Sequence, residues 1–420
     1  MEQTKTAKQY GTRAAALLQR IRELSLITDE PGIINRVYGT PAFVQAGSLV
    51  LSWMEEAGLE AHIDPVGNIR GRWDCGNPAA KTLLIGSHYD TVVDAGAFDG
   101  PLGILLGLDL LELVTGLQQQ LPFHIELLAF CDEEGVRFHT TYLGSKAVAG
   151  LFETELLDKR DEQGIALRQA IQAIGGDPGG LAQASVAGKE LLGYIEAHIE
   201  QGPVLYERAI PVAVVTGIAG QKRILLSFTG EAGHAGTVPM PMRRDALCCA
   251  AACILAIEDF ARQQAGLVAT VGKLDIPHAA SNVIPGKVDC TLDLRSTDEE
   301  ELAAAWQSLQ KVLNDICRQR AVLFSYNMVQ SSAPVSCDPR LIRLLSRAIG
   351  DAGHQVVSLS SGAGHDVVPL SAICPVAMLF VRCYKGISHH PLEDVEEDDI
   401  AATIQVMEGF LKQMVFNYDQ

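Results

Sequence analysis

Short apolar runs alternate with helical patterns in the first half and the last quarter of the chain. Strands that alternate with helices are typical of an α/β domain with a largely parallel sheet. The predicted elements are, in order, a strand at 81–88, a helix at 102–114, a strand at 123–131, a helix at 143–152, a helix at 339–352, a strand at 374–381 and a helix at 397–416.

The middle of the chain predicts a different arrangement. The strand at 287–295 alternates strictly, which places Val288, Cys290, Leu292 and Leu294 on one face. The order β-α-β-β-α-β is that of the split, ferredoxin-like unit. We therefore expect a separate domain at 213–329, inserted into a domain that residues 1–212 and 330–420 form. Its predicted elements are strands at 222–230, 267–273, 287–295 and 321–329 and helices at 243–263 and 298–320.

Composition narrows the class of protein. The 420 residues are 48% hydrophobic and 20% charged, which is typical of a globular protein. A net charge of −18 argues against nucleic acid or an anionic membrane as partner. The first 20 residues lack an apolar signal core, so we expect a cytoplasmic protein. Ten cysteines, several in apolar runs such as "LCCAAACILAI", predict buried free thiols.

Candidate chemistry lies where the predicted strands end. The stretch 87–100, "SHYDTVVDAGAFDG", contains His88, Asp90 and Asp99. His88 and Asp90 are two residues apart and point the same way in an extended segment, so Asp90 could orient the imidazole. In "CDEEG", Glu133 and Glu134 are adjacent and point apart, which predicts different roles for the two carboxylates.

Histidines follow later in the chain. His198 lies in "YIEAHIEQGP", and His389 and His390 lie in "GISHHPLE". Each residue alone is more typical of a solvated turn or a hydrogen-bonded core histidine. Together they form a set of nitrogen and oxygen ligands that suits zinc, manganese or cobalt. A parallel sheet would present most of them at one edge, so the combination favours a di-metal hydrolase.

Seven motifs in this order resemble those of the M20-type metallohydrolases, in the hydantoinase/carbamoylase branch. The resemblance runs from about residue 30 to the C-terminus and is greatest to allantoate-hydrolysing members. It implies a catalytic domain with a mixed, mainly parallel sheet and helices on both faces, plus an inserted ferredoxin-like dimerisation domain. The motifs are "SHYDTVVDAGAFDG", "CDEEGVRF", "YIEAHIEQGPVL", "GHAGTVPM", "SNVIPG", "SGAGHD" and "GISHHPLE".

The resemblance implies two divalent ions per subunit, Mn²⁺ or Zn²⁺. Asp90 would orient His88, Glu133 would be the general base, and His390 is the alternative to His389 as last ligand. The implied metal ligands are His88 and His198 on the first ion, Glu134 and His389 on the second, and Asp99 between them.

The implied activity is hydrolysis of a ureido C–N bond in a small carboxylate. Allantoate, giving ureidoglycine, ammonia and carbon dioxide, is the expected substrate; N-carbamoyl-L-amino acids and ureidoglycolate are the alternatives. A metal-binding scaffold without activity is disfavoured, because the base and all five ligands are present. The implied substrate contacts are Gln221, His234, Asn282, Arg295, Gly364 and His365.

Two of these residues carry further expectations. His234 is also implied as a catalytic residue that reaches the site of the partner subunit in a homodimer. From the residues alone, Arg295 is better explained by an ion pair with Asp289 or Asp293. The resemblance instead favours a bidentate clamp on a substrate carboxylate, which a guanidinium fork fits.

Overall fold

The computed structural model describes residues 2–116 and 121–418, with side chains from residue 8 onward. The chain divides into two compact units. Unit 1 extends to Thr216 and resumes at Cys337, and unit 2 is Gly217–Ser336. The division therefore lies at 217 and 336, where the sequence pattern predicted 213 and 329.

Helices and strands alternate along most of the described chain, and no helix in these ranges is long and apolar enough to cross a membrane. The α-helices are α1 (Glu2–Ser25), α2 (Pro41–Glu56), α3 (Pro101–Gly116), α4 (Leu143–Ala149), α5 (Leu167–Ala173), α6 (Val204–Arg208), α7 (Ala246–Arg262), α8 (Glu299–Gln319), α9 (Pro339–Asp351), α10 (Val367–Leu370) and α11 (Glu397–Phe416). The β-strands are β1 (Glu60–Ile63), β2 (Ile69–Trp73), β3 (Thr82–His88), β4 (His124–Phe130), β5 (Leu191–Ile199), β6 (Val212–Ile218), β7 (Gly220–Thr229), β8 (Gly233–His234), β9 (Val268–Asp275), β10 (Val283–Ile284), β11 (Lys287–Ser296), β12 (Leu323–Ser332), β13 (Val335–Ser336), β14 (Ser358–Ser361) and β15 (Val376–Val381).

The sheet of unit 1 is mixed, with a parallel centre. Its strand order is β1-β2-β4-β3-β5-β15-β6. The four central strands, β4, β3, β5 and β15, run parallel to one another. Strands β2 and β6 run antiparallel on the two sides of this centre. The predicted mixed, mainly parallel sheet is confirmed, and its four parallel carboxyl ends face one edge.

Both faces of the central strands are covered. Leu83 and Ile85 of β3 join the main hydrophobic core, while Leu84 points to the opposite face, and all three are at most 1% exposed. Burial on both faces explains why these strands appear in the sequence as continuous apolar runs. Helix α3 contacts β3, β4 and β5, and α9 and α11 contact β15.

Unit 2 is built as the alternating pattern predicted. Its sheet has the order β12-β7-β11-β9, and every neighbouring pair is antiparallel. Along β11 the buried positions Val288, Cys290, Leu292 and Leu294 alternate with half-buried ones. They form one core with the buried faces of α7 and α8. The β-α-β-β-α-β order is thereby confirmed, and this core belongs to unit 2 alone.

Candidate metal centre

The predicted ligands lie at the carboxyl ends of the parallel strands of unit 1. Strand β3 ends at His88, and Glu133 and Glu134 follow the end of β4. His198 is the penultimate residue of β5, and His389 lies in the loop after β15. Because parallel strands end at the same edge of a sheet, side chains far apart in the chain meet there.

Asp99 is the centre of this group, and its two oxygens face different partners. Its Oδ1 atom is 3.5 Å from Nε2 of His88 and 3.1 Å from Nε2 of His198. Its Oδ2 atom is 3.2 Å from Nε2 of His389. The same His389 nitrogen is 3.3 Å from Oε1 of Glu134. The structure thus brings all five predicted ligands together, in two groups that share Asp99.

Backbone carbonyls fix the orientation of two of the histidines. Nδ1 of His88 is 3.1 Å from the carbonyl oxygen of Asp90, and Nδ1 of His198 is 2.9 Å from that of Ile199. Nε2 of both rings faces Asp99 and donates to it, and because Nδ1 is held by a carbonyl, Nε2 is the atom that would present a lone pair to an ion once that proton is displaced. His390 differs, because its Nδ1 accepts a hydrogen bond from the backbone of Leu392 in an exposed turn.

Asp90 positions more than one element of the site. Its carboxylate accepts hydrogen bonds from the backbone N–H of Glu133 (3.1 Å) and of Glu134 (3.3 Å). The same carboxylate is 3.8 Å from Nδ1 of His88, so its backbone carbonyl is the closer contact to that ring. Asp132 adopts a φ of 50°, which turns the chain sharply before the two glutamates. Asp90 therefore holds two parts of the site: its carboxylate holds this turn, and its backbone carbonyl holds the ring of His88.

Burial and mutual charge set the protonation of the group in the absence of bound ions. Burial opposes ionisation of Asp99, but hydrogen bonds from His198, His389 and His88 lower its pKa well below the usual value. Burial raises the pKa of Glu133 well above the usual value, and the charge of Glu134 acts in the same direction. A buried carboxyl of raised pKa beside ligands is the state expected of a proton carrier.

Two further predicted residues, Gly364 and His365, lie in unit 1. Burial holds the pKa of His365 well below its usual value, so the ring is neutral. Its Nε2 is 2.8 Å from Oγ of Ser361, and its ring centre is 4.5 Å from that of His198. A Cβ at Gly364 would lie 1.7 Å from the hydroxyl of Tyr142, so a larger residue there would require Tyr142 to move.

Gln221 and Arg295 are opposite each other on β7 and β11 of unit 2. Both donate to the carboxylate of Asp293: Arg295 in a bidentate way, through Nε at 2.9 Å and Nη2 at 3.0 Å, and Gln221 through Nε2 at 2.6 Å. The ion pair of Arg295 with Asp293 is the one expected from the residues alone. It holds the guanidinium beside the amide of Gln221 at the start of β7, where the two could receive one ligand.

His234 of β8 pairs with Val283 of β10, and Asn282 directly precedes that strand. The backbone N–H of Ala235 donates to the carbonyl of Asn282 at 2.9 Å. Nδ1 of His234 accepts from the backbone N–H of Gly236 at 3.1 Å, and the side chain is exposed. The Nε2–H of His234 is therefore the donor directed away from its own loop.

A match to a protein-family description decides the family. Residues 84–413 match Peptidase family M20/M25/M40, which is well over half of the chain. The chain belongs to this family. The five candidate ligands lie within the matched range, and we call this group the M20 centre: His88, Asp99, Glu134, His198 and His389.

Relatives and solved structures agree with the M20 assignment. The chain is 38% identical to a "Probable allantoate deiminase" of Oryza sativa, over 94% of this chain and 87% of that protein. It is 40% identical to an N-carbamoyl-L-amino acid amidohydrolase of Geobacillus stearothermophilus, over 93% and 96% of the two chains. A hydantoinase/carbamoylase family amidase from Burkholderia multivorans superposes with a TM-score of 0.90 at 30% identity, covering 95% and 97%.

Sequence reasoning missed three residues that hold Asp99 in the M20 centre. Gln201 and Ser388 donate to Oδ2 of Asp99, at 2.9 Å and 2.7 Å. Glu393 accepts from the backbone N–H groups of Phe98 and Asp99. All three lie inside the motifs "YIEAHIEQGPVL" and "GISHHPLE", so their position in the motifs was the available signal.

Proposed function

We propose that this M20 chain hydrolyses a ureido C–N bond of a small carboxylate, with allantoate as the first candidate substrate and two divalent ions as cofactors. The observation that carries the proposal is the convergence of three histidines on Asp99, with Glu134 beside one of them, His389. The printed names of the relatives, an allantoate deiminase and an N-carbamoyl-L-amino acid amidohydrolase, support the ureido substrate class.

The donor set fits two divalent ions of intermediate softness. Imidazole nitrogens and carboxylate oxygens suit Zn²⁺ and Mn²⁺, and these are the donors of His88, Asp99 and His198. One ion would be held by His88, His198 and Asp99, and the other by His389, Glu134 and Asp99. The division follows the two oxygens of Asp99, each of which faces one set of partners.

Bound there, divalent ions would polarise a carbonyl oxygen and lower the pKa of water from about 15.7 toward about 7. Glu133 is grouped with His88 and Glu134 and is 8% exposed. It takes the proton of the attacking water and delivers it to the leaving nitrogen. The ureido C–N bond breaks, and the carbamate released divides into ammonia and carbon dioxide. The carboxylate of Asp90 keeps Glu133 in place because it accepts a hydrogen bond from the backbone N–H of Glu133.

Residues of unit 2 would recognise the substrate. The Arg295 fork binds the carboxylate of Asp293 through Nε and Nη2, and a substrate carboxylate would take the place of Asp293 with the same two parallel hydrogen bonds. His234 would donate its Nε2–H to the oxygen that becomes negative during attack, a contribution commonly worth about 3–4 kcal/mol. We propose that the protein is a homodimer in which His234 serves the site of the partner. The exposed apolar side chains of Leu255 and Val268 in unit 2 support such an interface.

A substrate panel tests the proposed activity. Protein freed of ions is reconstituted with Mn²⁺, Zn²⁺ or Co²⁺ and offered allantoate, ureidoglycolate and N-carbamoyl-L-amino acids. We expect kcat/KM to be highest for allantoate. The N-carbamoyl-L-amino acids are the second candidates, because the Geobacillus relative is as similar as the plant one. Ions bound without turnover of any ureido compound would contradict the proposal.

Mixing variants tests the shared site. His234→Ala and Arg295→Ala homodimers should each be nearly inactive if both residues serve catalysis. Dissociation and reassociation of the two variants should restore about a quarter of native activity, because half of the dimers are mixed and one of their two sites carries both native residues. A mixture that never regains activity would contradict the proposed placement of His234.

A further inference from the structure

Three cysteines of unit 2 meet between helices α7 and α8. Cys249 and Cys253 lie one turn apart on α7, and Cys317 lies near the end of α8. The Sγ atom of Cys317 is 3.5 Å from that of Cys249 and 3.9 Å from that of Cys253. All three side chains are at most 2% exposed. The three sulfur atoms lie within 4.8 Å of one another and form what we call the thiol cluster.

We propose that the thiol cluster binds one soft d¹⁰ ion, such as Cu⁺ or Cd²⁺, with all three sulfur atoms as ligands. Sulfur atoms that surround an ion at a bond length of about 2.3 Å lie about 3.8–4.0 Å apart in tetrahedral or trigonal geometry. The observed separations of 3.5 Å and 3.9 Å are within a few tenths of this. An ion at the centre therefore requires only a small movement of the two helices.

The surroundings favour one thiolate within the thiol cluster. Cys249 lies in the first turn of α7, where the positive end of the helix dipole stabilises an anion. Hydrogen bonding with the thiols of Cys253 and Cys317 lowers the pKa of Cys249, and the positive charge of Arg320 acts in the same direction. The hydrogen bond with Cys249 raises the pKa of Cys317, and hydrogen bonding with Cys249 likewise raises that of Cys253, so an incoming ion must displace the protons of these two thiols. Cys249 is therefore the thiol that loses its proton first.

The thiol cluster differs in chemistry from the M20 centre. The M20 centre offers only nitrogen and oxygen ligands, whereas the cluster offers only sulfur. Soft thiolate ligands select Cu⁺, and carboxylates favour harder ions, so the two sites would take different metals from one mixture. An ion in the cluster would join α7 to α8, the two helices that pack on the sheet of unit 2, and would stabilise this unit.

Cadmium titration of the full chain tests the proposal. The protein is kept reduced, freed of ions with a chelator, and titrated with Cd²⁺ alone. Thiolate-bound Cd²⁺ gives an ultraviolet charge-transfer band that histidine and carboxylate ligands do not produce. We expect the band to saturate at one thiolate-bound ion per chain with the intensity of three Cd–S bonds. Absence of the band in the native chain after several equivalents of Cd²⁺ overturns the proposal without any variant.

Substitutions locate the ligands. Cys317→Ala should lower the band by at least a third and weaken binding more than tenfold, and Cys249→Ala should do the same. Cys337→Ala, which removes a buried thiol of unit 1, is the matched control and should leave the band unchanged. An unchanged band in Cys317→Ala overturns the proposal, as does a Cys249–Cys317 disulfide that persists in the reduced native protein.

The test of the thiol cluster can fail or succeed independently of the test of the proposed hydrolase activity. The Mn²⁺-loaded Cys317→Ala protein should turn over ureido substrates within about twofold of the native rate, since its thiol belongs to another unit than the five ligands. A native protein with a cadmium–thiolate band but no ureido hydrolysis would support the thiol site and contradict the proposed activity. Ureido hydrolysis without a cadmium–thiolate band would support the proposed activity and contradict the thiol site.

Discussion

The Oε1 atom of Glu393 accepts a hydrogen bond of 3.0 Å from the backbone N–H of Asp99, and a second of 2.7 Å from that of Phe98. Glu393 is four residues after His389, so one short loop supplies a candidate ligand and also holds the segment of Asp99. A Cβ at Gly96 would lie 2.2 Å from the carboxyl carbon of Glu393, so a residue without a side chain is required there. These contacts hold the loop that contains His389 and Glu393 against the segment that contains Gly96 and Asp99.

Replacing Glu393 by Ala should weaken ion binding without removing any predicted ligand. Two buried N–H groups would lose their acceptor, which costs about 1–3 kcal/mol for each group left unpaired. We expect a lower free energy of unfolding and a dissociation constant for Mn²⁺ raised at least tenfold. Denaturant unfolding and metal titration measure the two effects. The exposed Glu397→Ala serves as control, and equal behaviour of both variants would contradict the positioning role.

Glu133→Gln should abolish turnover and leave ion content intact. The amide keeps the shape of the side chain but cannot carry the proton, and loss of a general base commonly costs about 10²–10⁴ in rate. Elemental analysis should find the native amount of Mn²⁺ in Glu133→Gln and about one ion fewer in the matched variant Glu134→Gln. Loss of an ion from Glu133→Gln would instead place Glu133 among the ligands.

Much of this arrangement could be predicted from the pattern of apolar residues. Helix α11 was predicted at its observed ends, and the split order of unit 2 followed from the alternation along β11. The pattern did not predict that β2 runs antiparallel beside β4, because strand direction depends on long-range pairing that a local pattern does not encode.

The site was predictable in its residue types and less so in its contacts. Asp90 was expected to orient His88 through its carboxylate, yet its carbonyl makes the closer contact and its carboxylate binds the turn at Glu133. Backbone contacts of this kind depend on a local turn, here the positive φ of Asp132. Composition and spacing do not reveal them.

Arg295→Lys should raise KM for the carboxylate substrate by about the same factor as Arg295→Ala. A lysine ammonium cannot reproduce the planar fork that binds a carboxylate through two parallel hydrogen bonds. We expect an increase of at least tenfold, measured by steady-state kinetics over a range of substrate. Arg223→Ala is the matched control, because Arg223 lies 3.5 Å from the same Asp293 and is exposed. A KM near the native value in Arg295→Lys would exclude the bidentate contact.

Gly364→Ala should destabilise the protein through one contact. Its Cβ would overlap the hydroxyl of Tyr142, and overpacking of this kind costs about 1–3 kcal/mol. Tyr142→Phe in the same chain should recover part of the lost free energy of unfolding, because the nearest atom is removed. Gly362→Ala should be close to neutral, since a Cβ there meets nothing within 4 Å. If Tyr142→Phe recovers no stability, overlap with the Tyr142 hydroxyl is not the reason why Gly364→Ala destabilises the protein.

Ion uptake should release a proton from His389. Hydrogen bonds to Asp99 and Glu134 raise the pKa of His389 from the usual 6.5 to about 10 in the protein without ions. Below pH 10 an incoming ion must displace this proton, so affinity should strengthen as pH rises, by about tenfold per unit for one proton. Calorimetry in buffers of different ionisation enthalpy counts the protons. His389→Ala should release fewer, and His390→Ala should match the native protein.

The residues around Asp99 are drawn from positions as far apart as 88 and 389, and this has a consequence for synthesis in the cell. A ribosome must pass residue 389 before the last imidazole exists, so a nascent chain that stops earlier lacks one of the proposed ligands. Firm retention of both ions would thus distinguish finished molecules from fragments, and metal supply would act on protein that has already folded.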